Sequence, residues 1–194
     1  AVVSLYQNNE LIQEEKGEIQ LTDYGISGIC VLQLSSNISR GLNLNKKEEV
    51  SINFLPMLNK KELEEFFEKN NNKNIYETLC HALNSKLVNV ILEVSKLDKS
   101  SNWHDIENKQ KNNIINNIIA FKLNIIGTKG FDNAQVTSGG VSLKEINPKT
   151  LESKLVKDLY FTGEILDCDG ACGGYNLGFA WLSGLLVGNS IAND

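Results

Sequence analysis

Acidic, thiol and glycine residues are concentrated between residues 163 and 181, immediately before an apolar run. The segment GEILDCDGACGGYNLGFAW contains Glu164, Asp167, Asp169, Cys168, Cys172, Gly173 and Gly174. Carboxylates and thiolates can bind metal ions, and a pair of thiols can also be oxidised and reduced. Bare glycine backbone before a helix can instead approach a bound cofactor closely. The composition of this segment is therefore compatible with three kinds of site.

The spacing of these residues argues against a metal ion. A calcium loop of the EF-hand type that began at Asp167 would have Cys172 in place of the glycine at position six, and Gly178 in place of the glutamate at position twelve. A structural zinc ion needs four nitrogen or sulfur ligands. The other candidate ligands form no second pair of the usual kind: they are Cys30, Cys80, His81 and His104. We therefore predict no metal site.

The two cysteines also depart from the usual redox spacing. Three residues separate Cys168 from Cys172, whereas a redox pair beside a helix usually has two residues between its cysteines. Small residues that fill a tight turn are the alternative explanation for this pair. The spacing favours that alternative over a redox function.

A cofactor fits the same segment better. A glycine-rich turn that leads into a helix, here predicted to begin at about Gly174, presents unpaired N–H groups and the positive end of the helix dipole. Glu164 follows a glycine after the short apolar stretch YFT, where a carboxylate can accept hydrogen bonds from ribose or ribityl hydroxyls. A strand, a turn and a helix with a capping acid, without any ligand, remain the alternative.

The composition of the chain narrows the class of protein. Of the 194 residues 41% are hydrophobic, which is enough for a packed core, and the formal net charge is −5. That charge gives no reason to expect a nucleic acid or an anionic membrane as a partner. Without a signal peptide, a disulfide framework or an apolar run of roughly 20 residues, we expect a cytoplasmic protein. Because the chain opens on an apolar strand without an initiator methionine, we expect a fragment of a longer protein.

The pattern of apolar residues predicts an α+β fold in three parts. In residues 1–57 it predicts a small, β-barrel-like part. This part begins with the strands AVVSLYQ (1–7) and GEIQLT (17–22) on either side of a polar stretch, as a hairpin or a barrel edge. In residues 58–120 it predicts a helical insert of four amphipathic helices. The first of these helices has a capping box at Asn59 and Glu62. Residues 121–194 predict a β-rich segment followed by a terminal helix, which is apolar nearly all round and is therefore expected to be buried.

Several short motifs resemble those of one enzyme family. They are VTSGGV at 136–141, INPKTLESK at 146–154, GE at 163–164, DG at 169–170 and GGYNL at 173–177, together with GEIQLTDYGISGICVLQLSS at 17–36. These motifs are similar to those of a family of bacterial flavoproteins that is commonly labelled aminoacetone oxidase-like, or NAD(P)/FAD-dependent oxidoreductase. The resemblance is dense over residues 134–192, clear over 17–36 and weak in the helical insert.

The resemblance implies the insert and the C-terminal FAD-binding segment of an FAD-dependent oxidoreductase whose Rossmann half precedes them. Gly163 and Glu164 would meet the ribityl and diphosphate region of FAD, and residues 173–177 would run beside the isoalloxazine. The implied cofactor-binding residues are Gly139, Gly140, Gly163, Glu164, Asp169, Gly170, Gly173, Gly174, Tyr175, Asn176 and Leu177.

Two departures from the family pattern limit what the chain is expected to do alone. The family usually has glutamine where this chain has Gly178, and no G-x-G-x-x-G follows a strand. We therefore expect the fragment alone to be inactive and not to bind FAD tightly. No residue is a credible general base, so no catalytic residue is predicted, and the substrate is expected to be an unidentified small molecule. The alternative hypothesis is a non-enzymatic domain that binds a protein partner through the helical insert.

Overall fold

The computed structural model describes residues 1–70 and 72–192. Contacts within the chain divide it into two compact units, Ala1–Ile126 and Gly127–Asp194, which we call unit 1 and unit 2. Helices and antiparallel strands are both present, so the predicted α+β class is confirmed. The division into three functional parts stays a prediction, because a division by contacts does not test which residues bind a cofactor.

Unit 1 is built on antiparallel strands. Its strands are β1 (Val2–Gln7), β2 (Glu10–Lys16), β3 (Gln20–Thr22), β4 (Gly25–Ser27), β5 (Glu48–Asn53) and β6 (Phe121–Ile125). Four of them form one sheet in the order β2-β1-β5-β6, and β3 pairs with β4 separately. In the larger sheet Leu5 lies opposite Val50, which in turn lies opposite Leu123. The alternating buried residues of β1 and β5 therefore share one face of the sheet.

A hairpin opens the chain, but its second strand is β2, within the stretch predicted as a polar link, and not the predicted strand at residues 17–22. Strands β1 and β2 are joined by Asn8 and Asn9, whose φ angles are 50° and 69°. A two-residue hairpin turn in which both residues have positive φ matches the twist of the flanking strands, and asparagine adopts this conformation readily.

The helices of unit 1 pack against this sheet and against one another. They are α1 (Ile29–Asn43), α2 (Lys60–Lys69), α3 (Ile75–Cys80), α4 (Ser85–Ser95) and α5 (Asn108–Ile119). Helix α1 turns Cys30, Leu34 and Ile38 into the core that the sheet residues also line. The four predicted helices of the insert are confirmed as α2 to α5, and they lie in sequence between the paired strands β5 and β6.

Asparagine side chains begin three of the four inserted helices. Asn59, Asn74 and Asn84 each accept a hydrogen bond from a backbone N–H two or three residues later, which satisfies a donor at the start of the helix. At Asn59 the carboxylate of Glu62 also accepts from the Asn59 N–H, at 2.7 Å, so the predicted capping box is confirmed. Each of these three helices therefore begins at a side chain that satisfies one of its unpaired backbone donors.

Unit 2 contains little regular structure before its single long helix. In its described part we find 3-10 turns at Phe131–Asn133, Leu143–Glu145 and Gly163–Ile165, followed by α6 (Tyr175–Ala192). The β-rich segments predicted after residue 126 form isolated bridges rather than strands. Glycines with positive φ at 139, 140 and 163 interrupt the extended backbone, and this corrects the prediction of strands there.

The prediction that the terminal helix is buried is wrong for this structure. Helix α6 buries Ser183 and Val187 and packs the half-buried Phe179 on the core of unit 2, whereas most of its other large apolar side chains are exposed. These exposed residues are Leu177, Trp181, Leu182, Leu185, Leu186 and Ile191. A helix that is apolar nearly all round is usually buried on all sides. The segments of unit 2 that pack on α6 cover only one stripe of its surface, so the remaining apolar side chains are exposed. No helix in the described part of the chain is long and apolar enough to span a membrane.

Candidate functional site

The residues predicted to bind a cofactor lie in three segments of unit 2: residues 137–141, residues 163–167, and the loop 168–174 with the start of α6. The segment 137–141 lies beside residues 165–167, because the Val141 N–H donates to the Ile165 carbonyl at 2.8 Å and the Asp167 N–H donates to the Val141 carbonyl at 3.0 Å. Gly140 permits this approach, since a Cβ there would overlap the Ile165 carbonyl oxygen. The buried Leu166 anchors the contact in the small core of unit 2.

The carboxylate of Glu164 holds the first two segments together. It accepts a hydrogen bond from the backbone N–H of Thr137. This N–H and, to a smaller extent, the Thr137 side chain lower the pKa of Glu164, because both stabilise the charged form. Glu164 is exposed at the surface of the unit and is therefore an anion whose position is fixed by the neighbouring segment.

A buried serine attaches the turn at Gly163 to the middle of α6. The Gly163 N–H donates to Ser183 Oγ at 2.8 Å, and the Ser183 hydroxyl donates to the Ala180 carbonyl at 2.9 Å. Ala180 lies five residues after the first residue of α6, so the turn sits about 8 Å along the helix from its start. Neither Thr137 nor Ser183 was among the cofactor-binding residues predicted from the sequence. A hydroxyl within the apolar run from Leu177 to Val187 was the available signal for Ser183.

The loop 168–174 closes back onto the start of α6 through Asn176. The Gly170 N–H donates to Asn176 Oδ1 at 2.7 Å, and Asn176 Nδ2 donates to the Gly170 carbonyl at 3.0 Å. Gly173 and Gly174 follow with φ angles of 123° and 92°, and the Gly174 carbonyl accepts the first helical hydrogen bond from Gly178 at 2.9 Å. The loop therefore ends in two residues whose conformation favours glycine.

The predicted cofactor-binding residues fall into two groups. Gly140, Gly163, Glu164, Gly170 and Asn176 are engaged in contacts within unit 2. Gly139 and Gly174 have open space where a Cβ would lie, and Tyr175 and Leu177 are exposed. Gly173 is exposed as well, and Asp169 lies in the exposed part of the same loop. Whether any of them contacts a cofactor stays a prediction.

The donors at the start of α6 suit an electron-rich ligand. In an α-helix the first N–H groups have no acceptor within the helix, and the helix dipole adds positive potential at that end. No acidic residue lies in the first turn of α6 to neutralise it. The open backbone at Gly174 and these N–H groups leave room for an electron-rich ligand group at the start of the helix. The side chain of Tyr175 is 69% exposed, so packing in the core does not explain that residue.

The structure offers little support for other chemistry in this segment. Within the described residues no group of three or more histidine, cysteine, aspartate and glutamate side chains could hold a metal ion. Cys168 and Cys172 are not joined in a disulfide, and the first is exposed whereas the second is half-buried. A shallow apolar depression of about 470 Å³ lies along α6 at Ala180, Trp181, Gly184 and Leu185, away from the start of the helix.

Comparison with known proteins identifies several relatives. The chain is 38% identical to a 3-dehydro-bile acid delta(4,6)-reductase of Clostridium scindens over 99% of its length and 48% of that protein. It is 35% identical to a ribosomal RNA dihydrouridine synthase of Escherichia coli over 84% of its length and 39% of that protein. The Haemophilus influenzae protein of the same name is 34% identical, over 91% of this chain and 43% of the relative. The chain thus spans less than half the length of these curated relatives.

The family itself follows from the first part of the chain. Residues 1–136 match the model of the HI0933-like protein barrel and H2TH domain, which covers all of unit 1 and the beginning of unit 2. This match confirms the flavoprotein family that the sequence motifs resembled. The chain belongs to the HI0933-like family.

Proposed function

We propose that the chain is part of a longer flavin-dependent oxidoreductase, in which unit 2 contributes the isoalloxazine and ribityl side of an FAD site. The open backbone at Gly174, at the start of a helix whose first turn has no acidic residue, carries this proposal. The curated relatives are more than twice as long as the chain, which supports a cofactor site completed by residues outside it. The 194-residue chain is then inactive by itself.

The residues of unit 2 would bind and orient the cofactor. The start of α6 would lie near the pyrimidine edge of the flavin, because negative charge collects there on reduction and the helix dipole stabilises it. The Thr137–Glu164 and Gly163–Ser183 hydrogen bonds would keep the surrounding turns in place. When bound, the flavin supplies the two-electron chemistry, and the protein supplies orientation and electrostatic stabilisation.

The names of the relatives suggest the type of substrate. A delta(4,6)-reductase of a 3-dehydro-bile acid and a dihydrouridine synthase are both named for reductions. Each of these reductions removes a carbon–carbon double bond that is conjugated with a carbonyl group. We propose that the whole protein likewise reduces a conjugated enone-type double bond in a small molecule. The net charge of −5 favours a small molecule over an RNA substrate.

The test is a visible absorption spectrum of the protein expressed from its complete gene, with the 194-residue chain as the control. We expect a flavin spectrum in the longer protein, with FAD identified after denaturation, and a colourless short chain. A colourless longer protein that also fails to bind added FAD would overturn the flavoenzyme proposal. In that case a partner-binding function of the helical insert, α2 to α5, becomes the better hypothesis.

The substrate class is tested separately. The longer protein, reduced anaerobically with dithionite, is mixed with a steroid 4,6-dien-3-one, with uridine-containing ribosomal RNA, or with a saturated 3-oxo steroid as the control. Rapid oxidation of the bound flavin by the dienone, with a product that gains two hydrogens, supports the proposal. Oxidation by the RNA but not by the dienone would assign an RNA substrate instead, and no oxidation by either would reject this class of substrate.

A further inference from the structure

We propose that Asn176 is a positioning residue that fixes the loop 168–174, and that it is not a direct contact of the cofactor. The inference rests on the proposed FAD site, which it deepens by assigning a function to one residue of that site. Its basis is the pair of hydrogen bonds between the Asn176 carboxamide and the backbone of Gly170.

The two hydrogen bonds fix the orientation of the carboxamide. Oδ1 accepts from the Gly170 N–H at 2.7 Å and Nδ2 donates to the Gly170 carbonyl at 3.0 Å, so both ends of the amide face the same peptide segment. One lone pair of Oδ1 and one N–H of Nδ2 remain, but the side chain cannot turn toward a ligand without breaking both bonds. The geometry therefore points to Gly170 as the partner that this side chain holds in place.

The loop needs such a restraint because of its composition. Gly170, Gly173 and Gly174 are three of its seven residues, and glycine has more backbone freedom to lose than any other residue. At the N-terminal end the Cys168 N–H donates to the Leu166 carbonyl at 2.7 Å, and at the C-terminal end Gly174 enters α6. Asn176 ties the middle of the loop to the helix between these two fixed ends.

Gly170 also has a packing reason to be glycine. A Cβ at this position would lie 3.2 Å from Cβ of Tyr175, at the first residue of α6. The backbone of Gly170 thus lies close to the helix start, within reach of the Asn176 carboxamide. The close approach and the paired hydrogen bonds together set the path by which the chain reaches Gly173 and Gly174.

The experiment uses the full-length protein and three variants. Asn176→Ala removes both hydrogen bonds, whereas Asn176→Asp keeps the acceptor for the Gly170 N–H and loses the donor. Asn116→Asp places the same new charge on the exposed surface of α5, far in sequence from the loop, and serves as the matched control. Each protein is stripped of flavin, and the dissociation constant of FAD is measured by titration of flavin fluorescence.

We expect the dissociation constant to rise about tenfold or more for Asn176→Ala and for Asn176→Asp, in which a carboxylate oxygen faces the Gly170 carbonyl, and not at all for Asn116→Asp. Hydrogen exchange of the Gly170 amide in the flavin-free protein should become faster in Asn176→Ala. The visible circular dichroism of the bound flavin, recorded at saturating FAD, should differ from the wild type, which a loss of overall stability alone would not produce. Thermal unfolding of each variant checks that it folds. If Asn176→Ala does not fold, the same measurements are made on Asn176→Asp.

The outcomes separate this inference from the proposed function. If the wild-type protein binds no FAD, the proposed function fails and the inference falls with it. If the wild type binds FAD but Asn176→Ala binds it equally well with an unchanged dichroism spectrum, the positioning of the loop by Asn176 is rejected and the FAD site stands. A loss of FAD affinity in Asn176→Ala without faster exchange of the Gly170 amide would indicate a direct contact between Asn176 and the cofactor, and would also reject the inference.

Discussion

The two tryptophans of the chain lie in opposite environments, one in each unit. Trp103 in unit 1 is 3% exposed, and its ring stacks on Phe67 with centroids 4.3 Å apart, while the indole N–H donates to Glu68 at 2.7 Å. Trp181 in unit 2 is 80% exposed on the surface of α6. A large aromatic side chain thus finds a complete set of partners in unit 1 and almost none in unit 2.

The same difference extends to the cores of the two units. Among the described residues, twenty buried apolar side chains form the core of unit 1, and four form that of unit 2: Ile146, Leu151, Leu166 and Val187. Because hydrophobic burial is the main favourable term in folding, unit 1 has the means to fold by itself, whereas unit 2 has much less. The difference shows that the apolar composition of a segment does not by itself make it buried. Its side chains are buried only where other segments of the same unit provide a surface to pack against.

The largest expected effect comes from truncating one buried leucine in each core. Leu34 on α1 and Leu166 in unit 2 are both essentially inaccessible to solvent. We expect Leu34→Ala to lower the free energy of unfolding of unit 1 by about 2–5 kcal/mol. Leu166→Ala should cost unit 2 about 2 kcal/mol, at the low end of this range, because a thin core can collapse or admit water. Native-state hydrogen exchange measures each unit separately; an equal or larger loss in unit 2 would contradict the comparison.

Two adjacent glycines test how closely the segments of unit 2 are packed. Gly139 and Gly140 both have positive φ, but a Cβ at Gly140 would overlap the Ile165 carbonyl, whereas one at Gly139 would meet nothing within 4 Å. Gly139→Ala should therefore cost only backbone strain, about 1–2 kcal/mol. Gly140→Ala should cost about 3 kcal/mol, because overlap is added to the strain. Urea denaturation measures both, and equal losses would show that the bridge between Val141 and Leu166 is not tight.

Local signals in the sequence predicted most of unit 1. The capping box at Asn59 and Glu62 involves residues three apart, so short-range chemistry decides it. The second strand of the β1–β2 hairpin was predicted at residues 17–22 instead of 10–16, because the mostly polar β2 lacks the apolar alternation that marks a strand. The apolar stripes of the inserted helices likewise gave the correct helices, because their partners lie within the same unit. For the candidate site, the sequence correctly placed the start of α6 near Gly174.

Long-range contacts were the part that the sequence did not predict. The exposure of α6 depends on which surfaces are present to cover it, and no local pattern carries that information. The hydrogen bond between Gly163 and Ser183 spans twenty residues, and the one between Thr137 and Glu164 spans twenty-seven. The strands predicted around 139–140 and 163 are not formed because the glycines there have positive φ, which interrupts the extended backbone.

A buried carboxylate gives unit 1 an expected pH dependence. Glu48 on β5 is 2% exposed, packs on Gly41 of α1, and neither of its oxygens has a hydrogen-bond partner of good geometry among the described residues. Burial raises the pKa of Glu48, and the nearby Gln7 side chain and Lys46 ammonium oppose this shift without cancelling it. The folded state therefore binds a proton more tightly than the unfolded state. Its contribution to stability is present at low pH and is lost as the pH rises above the ordinary value of 4.5 and through the raised pKa.

Glutamine has no proton to lose, so Glu48→Gln should remove the loss of stability that accompanies deprotonation of Glu48. The free energy of unfolding of the variant should therefore fall less between pH 4.5 and neutrality than that of the wild type. Each unit of elevation in the pKa corresponds to about 1.4 kcal/mol at neutral pH. The control is Glu49→Gln on the same strand, which breaks the exposed ion pair with Lys122 at 2.8 Å and should cost about 0.5 kcal/mol. Urea denaturation over a series of pH values checks both, and parallel pH profiles for Glu48→Gln and the wild type would reject the prediction.

The exposed carboxylate of unit 2 should show the opposite and smallest pH dependence. The N–H and side chain of Thr137 lower the pKa of Glu164, so the folded state favours the charged form. The attachment of residues 137–141 to the turn at 163–165 is then complete above the ordinary pKa of 4.5, and it weakens as the pH falls through the lowered value. Because Glu164 is exposed, water screens the interaction, and we expect a local effect without a measurable change in global stability.

NMR titration measures this effect. The amide shift of Thr137 should titrate with the Glu164 carboxyl group, and Glu164→Gln should abolish this titration. The control Glu145→Gln, an exposed change elsewhere in unit 2, should leave the titration intact. A Thr137 amide that ignores Glu164→Gln would mean that the two segments are held by the backbone of Val141 alone.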